Sequence, residues 1–275
     1  MSQQISNSKW LPVTILLCLS MNLRANGMDL IKISRNSCVE VSSKSGDSRG
    51  TGFFIDGQHV VTCFHVIAKL NQNGRTINWS IHQDLKIKLS DGEVLDGVVL
   101  SVPSERYPEP LHFDFAVIKL KVKPAGAFET VQISTQSTNP EIGSDIVFSG
   151  YPLDTPAMVT HKGMVSGIDP TGNIICLEAP INKGNSGGAV LSQDGAAVGI
   201  VDMREGGISK GLQDLRGFIK ISGQYGSVQM VGVDPLKAIG AIIDTLDKYI
   251  STGIGYAVSI KHLRNYIQAH PEVER

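Results

Sequence analysis

Short β-type segments separated by tight turns recur through most of the chain, and this pattern constrains the fold more than any other feature. Turn signals such as Asp56-Gly57, Asp91-Gly92 and Asp194-Gly195 separate the apolar runs and are typical of β-hairpins. Neither strand–helix–strand alternation nor a repeat of about 20 to 50 residues is visible. The pattern predicts an all-β protein built from antiparallel barrels, with strands at 50–55, 59–63, 86–89, 94–102, 113–122, 145–150, 159–168, 174–178, 189–191 and 197–201.

The region 203–252 departs from this pattern. It begins as a polar, glycine-rich stretch, and residues 218–231 predict a further hairpin. From Pro235 onward, apolar residues recur at helical spacing. Pro235 suits a first helical turn and Asp234 suits the cap before it. A strand at 255–258 and a closing helix at 260–269 follow.

The N-terminus carries a short apolar run at 11–19. This run is too short to span a bilayer, which needs about 20 residues, but it fits the apolar region of a signal peptide. We expect residues 1–27 to be a signal peptide or disordered leader, and the alternative is a true start at Met28. A cleaved signal implies a periplasmic or secreted protein, and a later start implies a cytoplasmic one.

Charge and cysteine content exclude several classes of function. The formal net charge is −1, which argues against non-specific binding of nucleic acid. The four cysteines include Cys18 in the leader, and none has the spacing of a zinc site. We therefore expect no nucleic-acid partner, no stable membrane span and no metal.

One motif points to nucleophilic chemistry. Ser186 is flanked by Gly184 and by Gly187-Gly188, and glycines allow the tight turn that aims backbone N–H groups beside a nucleophilic hydroxyl. Alone, such a string also fits an ordinary loop. A reactive serine needs a histidine base oriented by a buried acid. His65 ends a predicted strand, and Asp114 is a carboxylate inside an apolar one, where it needs a partner.

The order His65, Asp114, Ser186 resembles the chymotrypsin-like serine proteases, and within them the HtrA/Deg branch. The segments 50–53, 62–66, 113–117 and 182–188 resemble its motifs, and 198–201 and 253–258 resemble its two late strands. The resemblance implies a double six-stranded antiparallel β-barrel with a C-terminal helix and an inserted helical segment. It also implies a Ser-His-Asp triad, an oxyanion hole from the N–H groups of Gly184 and Ser186, a protein or peptide substrate and no cofactor. HtrA relatives are often trimers, so the resemblance allows a trimer.

The chain also departs from that family. Asn185 stands where digestive relatives carry an aspartate, so we expect no activation through an ion pair with a freed N-terminus. Lys183 replaces the usual proline. The sequence ends at Arg275, which predicts a trypsin-like protease domain at 28–275 without a PDZ domain. The insert 203–252 precedes the last strand. It is either a surface segment that packs on the barrel or a lid over the substrate.

The residues expected to line the substrate pocket predict a preference for small or medium apolar side chains. No acid precedes the serine to pair with a basic substrate side chain. The predicted lining residues are Pro180, Ile181, Ile200 and Tyr256.

Two functions compete with the protease. The first is a catalytically silent barrel that binds peptides or partner proteins, although such a module would not need the motif glycines. The second is an α/β-hydrolase, which requires strand–helix alternation and a histidine last in the chain. Neither requirement is met, and we set that fold aside.

Overall fold

The computed structural model describes residues 27–73, 76–101, 113–153, 155–204, 210–226, 229–249 and 253–273. The helices are α1 (Gly27–Asn36), α2 (Phe64–Ile67), α3 (Lys210–Ser222), α4 (Pro235–Tyr249) and α5 (Lys261–Ala269), and a 3₁₀ turn follows at Pro271–Val273. The strands are β1 (Cys38–Ser43), β2 (Ser48–Phe54), β3 (His59–Thr62), β4 (Ala68–Asn73), β5 (Thr76–Ile81), β6 (Leu85–Lys88), β7 (Val94–Ser101), β8 (Ala116–Leu120), β9 (Asp145–Gly150), β10 (Val159–Ile168), β11 (Ile174–Glu178), β12 (Ala189–Leu191), β13 (Ala197–Arg204) and β14 (Ile254–Ser259).

Twelve of these strands close into two antiparallel barrels of six. The first barrel has the order β1-β2-β3-β8-β7-β6, and the second has the order β10-β11-β14-β13-β12-β9. β4 and β5 form a separate two-stranded ribbon. The double six-stranded barrel predicted from the sequence is therefore confirmed. Closure removes the exposed strand edges that an open antiparallel sheet would leave unpaired.

Each barrel folds because alternate side chains point into its interior. In β6, Leu85 and Ile87 are buried while Lys86 and Lys88 are exposed. The interior of the first barrel joins one large apolar cluster, and a second cluster fills the other barrel around Phe148. Burial of these side chains supplies the main driving force for the fold.

Two contacts between the barrels fix the geometry of the site. Thr51, on β2 of the first barrel, donates its N–H to the carbonyl of Ser186 at 2.8 Å. Helix α1 packs against β9 of the second barrel before the chain enters β1, and the hydroxyls of Ser34 and Ser149 lie 2.8 Å apart there. The loop that carries Ser186 is thereby tied to the first barrel.

The segment between β13 and β14 is helical in its described part. The hairpin predicted at 218–231 is wrong, because α3 covers Lys210–Ser222. Leu212, Leu215 and Ile219 follow helical spacing, and packing of α3 against α4 outweighs the low helix propensity of its glycines. The predicted cap of α4 is confirmed, since Asp234 Oδ1 accepts the N–H groups of Leu236 and Lys237 at 3.0 and 3.2 Å.

Three remaining predictions concern the N-terminal leader, a membrane span and the closing helix. Of the predicted leader, residues 1–26 lie outside the described part of the chain. None of the helices in the described segments has both the length and the apolar character needed to cross a membrane. The closing helix predicted at 260–269 is present as α5, one residue shorter at its start.

Candidate active site

His65 lies on a four-residue helix that follows β3 directly. The other three residues of this helix, Phe64, Val66 and Ile67, are buried and anchor it to the first barrel. The side chain of His65 is 39% exposed, so its ring faces outward from an otherwise fixed turn. The sequence thus places the accessible side chain of His65 on a short helix that its buried neighbours hold in position.

Asp114 meets His65 because their strands are neighbours. β3 pairs with β8 with Thr62 opposite Ala116, and Asp114 stands two residues before β8. One carboxylate oxygen of Asp114 accepts the main-chain N–H of His65 at 2.9 Å, and the other contacts Nδ1 of the same ring. The pair fixes the imidazole with its Nδ1–H donating to the Asp114 carboxylate and its Nε2 free to accept a proton.

The electrostatics of this pair suit a histidine base. Burial alone would lower the pKa of His65, but the charge and hydrogen bond of Asp114 outweigh it and hold that pKa above its ordinary value. Burial alone would raise the pKa of Asp114, and the charge and hydrogen bonds of His65 outweigh it and hold that pKa below its ordinary value. Asp114 is therefore a carboxylate at neutral pH, as an orienting acid must be.

Ser186 lies in a turn between β11 and β12 that is held from both sides. Its carbonyl accepts from Thr51, and the next N–H, of Gly187, donates to the carbonyl of Val201 at 2.7 Å. Its hydroxyl donates to the carbonyl of Asp202 at 2.6 Å. In this structure the serine hydroxyl thus points to the main chain of β13, and a rotation about its Cα–Cβ bond is needed to direct it elsewhere.

Gly184 shapes the turn in front of Ser186. Its φ is +98°, and a Cβ at this position would lie 2.3 Å from the carbonyl oxygen of Tyr151. Only glycine satisfies both requirements. Within the described residues, the N–H groups of Gly184 and Ser186 donate to no protein acceptor, and both belong to the loop that carries the nucleophile. This is the arrangement expected of donors kept for a substrate oxyanion.

Asp202 is a functional candidate that the sequence analysis missed. It is completely buried on β13, and one of its carboxyl oxygens lies 3.7 Å from Nδ1 of His65. Burial and the charge of the neighbouring Asp114 raise the pKa of Asp202 to about 9. The signal was available, because an acid directly after the apolar run 197–201 needs a buried partner just as Asp114 does.

The site contains donor atoms of the kinds that bind metals, but their arrangement favours hydrogen bonding. Ligand atoms of Cys63, His65, Asp114 and Asp202 lie within 4.8 Å of one another. His65 and Asp114 are already in direct contact through Nδ1, so an ion could enter only by breaking that pair. We treat these residues as a hydrogen-bonding group.

The predicted pocket residues are brought together only in part. Ile181 is buried in the core of the second barrel, and a Cβ at Gly255 would lie 2.2 Å from its Cδ1. Tyr256 is half-buried and Pro180 is exposed. Ile200 belongs to the other apolar cluster, apart from Ile181. The structure therefore separates Ile200 from Ile181, and the role of these residues as a pocket lining stays a prediction.

Comparisons with known proteins agree with the fold. The profile of the trypsin-like peptidase domain matches residues 50–200. Serine endoprotease DegS of Salmonella typhimurium is 30% identical over 159 residues, which cover 55% of this chain and 38% of that protein. A Buchnera aphidicola protein named "Probable periplasmic serine endoprotease DegP-like" is 29% identical over 182 residues, which cover 63% of this chain and 34% of that protein.

A solved structure shares the architecture over most of the chain. The crystal structure of the serine endoprotease from Yersinia pestis aligns with a TM-score of 0.55 and 18% identity, covering 89% of this chain and 66% of that one. At this identity the likeness concerns the fold alone. The chain matches well under half the length of the two curated relatives described above.

Proposed function

The chain belongs to the trypsin-like peptidase domain family, and from this we propose that it is a serine endopeptidase that acts through His65, Asp114 and Ser186. Its substrates are proteins or peptides, and the intermediate is an acyl-enzyme on Ser186. The observation that carries the proposal is that His65 contacts Asp114 and lies near Ser186 through a shared neighbour. That neighbour is Asp202, whose carboxyl oxygen is 3.7 Å from Nδ1 of His65 and whose carbonyl accepts the Ser186 hydroxyl at 2.6 Å.

The proposed mechanism assigns one role to each group. Ser186 Oγ attacks the scissile carbonyl while Nε2 of His65 takes its proton and later delivers it to the leaving amine. Asp114 stabilises the imidazolium that forms in between. The N–H groups of Gly184 and Ser186 receive the developing oxyanion. Before attack, Ser186 Oγ gives up its hydrogen bond to the Asp202 carbonyl, which has a net cost of about 1 kcal/mol.

The proposed substrate preference is a small apolar side chain beside the scissile bond. Ile181 fills the space over Gly255, and both residues belong to the segments that flank the specificity pocket in the resemblance. An isoleucine packed there shortens the pocket. Replacing Ile181 with alanine should extend the preference to larger apolar residues.

We further propose a periplasmic location. A relative from Buchnera aphidicola is named a periplasmic enzyme, and the predicted leader at 1–27 would direct export. We also propose a trimer, which the resemblance allows. Cell fractionation tests the location, and mass measurement of the purified protein tests the trimer.

A catalytically silent, peptide-binding protein is the second candidate. The observation that favours it is the orientation of the Ser186 hydroxyl, which donates to the carbonyl of Asp202 instead of His65. A serine hydroxyl that must rotate before it reacts belongs either to an active site that substrate binding completes or to an inactive site.

Reaction with a fluorophosphonate probe separates these candidates. We expect wild-type protein to be labelled at pH 8, the Ser186→Ala variant not to be labelled, and Ser192→Ala, which alters a serine in a turn outside the site, to be labelled like the wild type. The proposal also requires hydrolysis of labelled casein with the same dependence on Ser186.

A shortened variant settles the case of an unreactive wild type. Arg204 and Gly255 are paired across β13 and β14, so a short glycine-containing turn can replace the segment between them. Labelling that appears only in this variant means that the insert closes an active site. A folded protein that stays unlabelled in both forms is silent, and the endopeptidase proposal is then wrong.

A further inference from the structure

Asp202 occupies a bulge at the centre of the site. The pairing of β13 with β14 shifts register between Val201 and Met203, so Asp202 is the extra residue that has no partner across the ladder. Bulges re-aim a side chain and are frequent beside active sites. The bulge turns the main-chain carbonyl of Asp202 to the Ser186 hydroxyl and its carboxyl group to His65.

The carboxyl group of Asp202 lacks the donors that a buried carboxylate requires. Neither of its oxygens receives a hydrogen bond from any N–H or hydroxyl group of the described residues, and the residue is completely buried. A buried carboxylate with no donor carries a desolvation penalty of several kcal/mol. Asp202 is therefore far more stable in this site as a neutral acid than as an anion.

The neighbouring Asp114 has the opposite surroundings. It accepts two hydrogen bonds from His65 and lies against a ring that can become cationic. Two adjacent buried carboxyl groups do not both ionise. The proton of the pair consequently stays on the group without donors, which is Asp202, and the negative charge stays on Asp114.

We propose that Asp202 is a positioning residue that holds a proton at neutral pH and donates it, as a neutral carboxylic acid, in a hydrogen bond to Asp114. No atom is transferred in this role. The Asp202 O–H is the donor, and a lone pair of the Asp114 carboxylate is the acceptor. This inference rests on the proposed function only for its kinetic consequence, because the protonation itself is a property of the folded protein.

The proposed hydrogen bond has two consequences for catalysis. It fixes the carboxylate that orients His65, and it keeps a second negative charge away from the ring. Among the described residues, the remaining titratable group that faces Asp202 is the fully buried Cys63 thiol. Burial and the charge of Asp114 raise the pKa of Cys63 well above its ordinary value, so it stays neutral. Loss of the Asp202 proton above about pH 9 would remove the donor that fixes the Asp114 carboxylate and place a second negative charge beside it, so the orientation of His65 would be lost.

Infrared spectroscopy tests the proton without relying on activity. At pH 7 we expect a carbonyl stretch of a protonated carboxylic acid in the full chain carrying Ser186→Ala. The same band should be absent once Asp202→Asn is added. Asp96→Asn in the same background is the matched control, because Asp96 is exposed beside Lys86 and its pKa is lowered. A spectrum unchanged by Asp202→Asn would overturn the proposal.

Kinetics test the positioning role. The rate of fluorophosphonate labelling should be within threefold of wild type in Asp202→Asn, whose amide can donate to Asp114 and cannot ionise, and its decline above pH 9 should disappear. Asp202→Leu, which has no donor, should lower the maximal labelling rate by about 100-fold, the scale of a misplaced catalytic group, with little change in probe affinity.

The outcomes distinguish failure of this inference from failure of the proposed function. If the wild type and the shortened variant are both unreactive but the infrared band is lost with Asp202→Asn, the proton assignment stands and the enzyme proposal falls. If the wild type reacts and Asp202→Leu reacts equally fast, or Asp202→Asn is as slow as Asp202→Leu, the positioning role is wrong. Circular dichroism of each variant establishes that it is folded before its rate is compared.

Discussion

Thr51 joins the two barrels at the loop that carries the nucleophile, and replacing it should damage stability and reactivity together. Its hydroxyl donates to the carbonyl of Gly184 at 2.6 Å and accepts the N–H of Tyr151 at 2.9 Å. All three residues are buried. The Thr51→Val variant keeps the shape of the side chain but removes both hydrogen bonds, so the Gly184 carbonyl and the Tyr151 N–H lose their partner.

The expected cost follows from these two orphaned groups. A buried polar group left without a partner costs about 1–3 kcal/mol, so Thr51→Val should lower the free energy of unfolding by about 2–6 kcal/mol. This is a large share of the roughly 5–15 kcal/mol that stabilises a typical domain. The freed Gly184 carbonyl also permits the peptide beside the proposed oxyanion hole to turn, so labelling at Ser186 should slow by more than tenfold.

Urea denaturation followed by circular dichroism, with fluorophosphonate labelling of the folded variants, checks both parts. Thr51→Ser keeps the hydroxyl and should lose only about 1 kcal/mol for the missing methyl group. Thr245→Val alters an exposed helical hydroxyl that bonds Ala241 and should change stability by less than about 0.5 kcal/mol. If Thr51→Val is as stable as Thr51→Ser, the hydrogen-bond reasoning is refuted. If it is less stable but labelled at the wild-type rate, Thr51 does not support the oxyanion loop.

Four further predictions follow from the same geometry. The labelling rate should rise with pH through a midpoint above 6.5, because Asp114 raises the pKa of His65 and only the neutral ring is a base; a midpoint below 6.5 contradicts this. Gly184→Ala should nearly abolish labelling, since its positive φ and the nearby main chain exclude a Cβ; a reactive variant would show that the turn can rearrange. Asp202 binds its proton more tightly when folded, with a pKa of about 9 against about 3.9 unfolded, so its contribution to the free energy of unfolding falls between pH 4 and 9 by up to about 1.4 kcal/mol per unit; denaturation of Asp202→Asn should lack that slope. Native protein should react with iodoacetamide at the half-buried Cys176 before the fully buried Cys63, whose pKa is raised; mass spectrometry of early digests reads the order.

Much of the candidate site could be predicted from short stretches of sequence. The sequence predicts His65, Asp114 and Ser186 from residue type, flanking apolar runs, glycine turns and a family resemblance. The structure places His65 against Asp114, and both His65 and Ser186 beside Asp202, while their catalytic roles stay a prediction. The cap of α4 by Asp234 was equally readable. The signals for these features lie within a few residues or along a single strand, so they can be recognised in the sequence alone.

The features that the sequence did not reveal depend on distances across the chain. Whether the segment at 218–231 forms a hairpin or a helix was decided by packing of α3 on α4, and the side of β13 occupied by Ile200 was decided by barrel register. The sequence predicts that Asn185 cannot make an ion pair. Its complete burial is visible only in the structure.

Asp202 shows the division between sequence and structure most clearly. The sequence by itself determined that an acid follows an apolar strand, and that a histidine, an aspartate and a glycine-flanked serine occur in order. Only the tertiary structure decided that Asp114 takes both donors of His65 and that Asp202 receives none among the described residues. Protonation depends on burial and on charges within a few ångströms, and residues far apart in sequence come that close only when the barrels close.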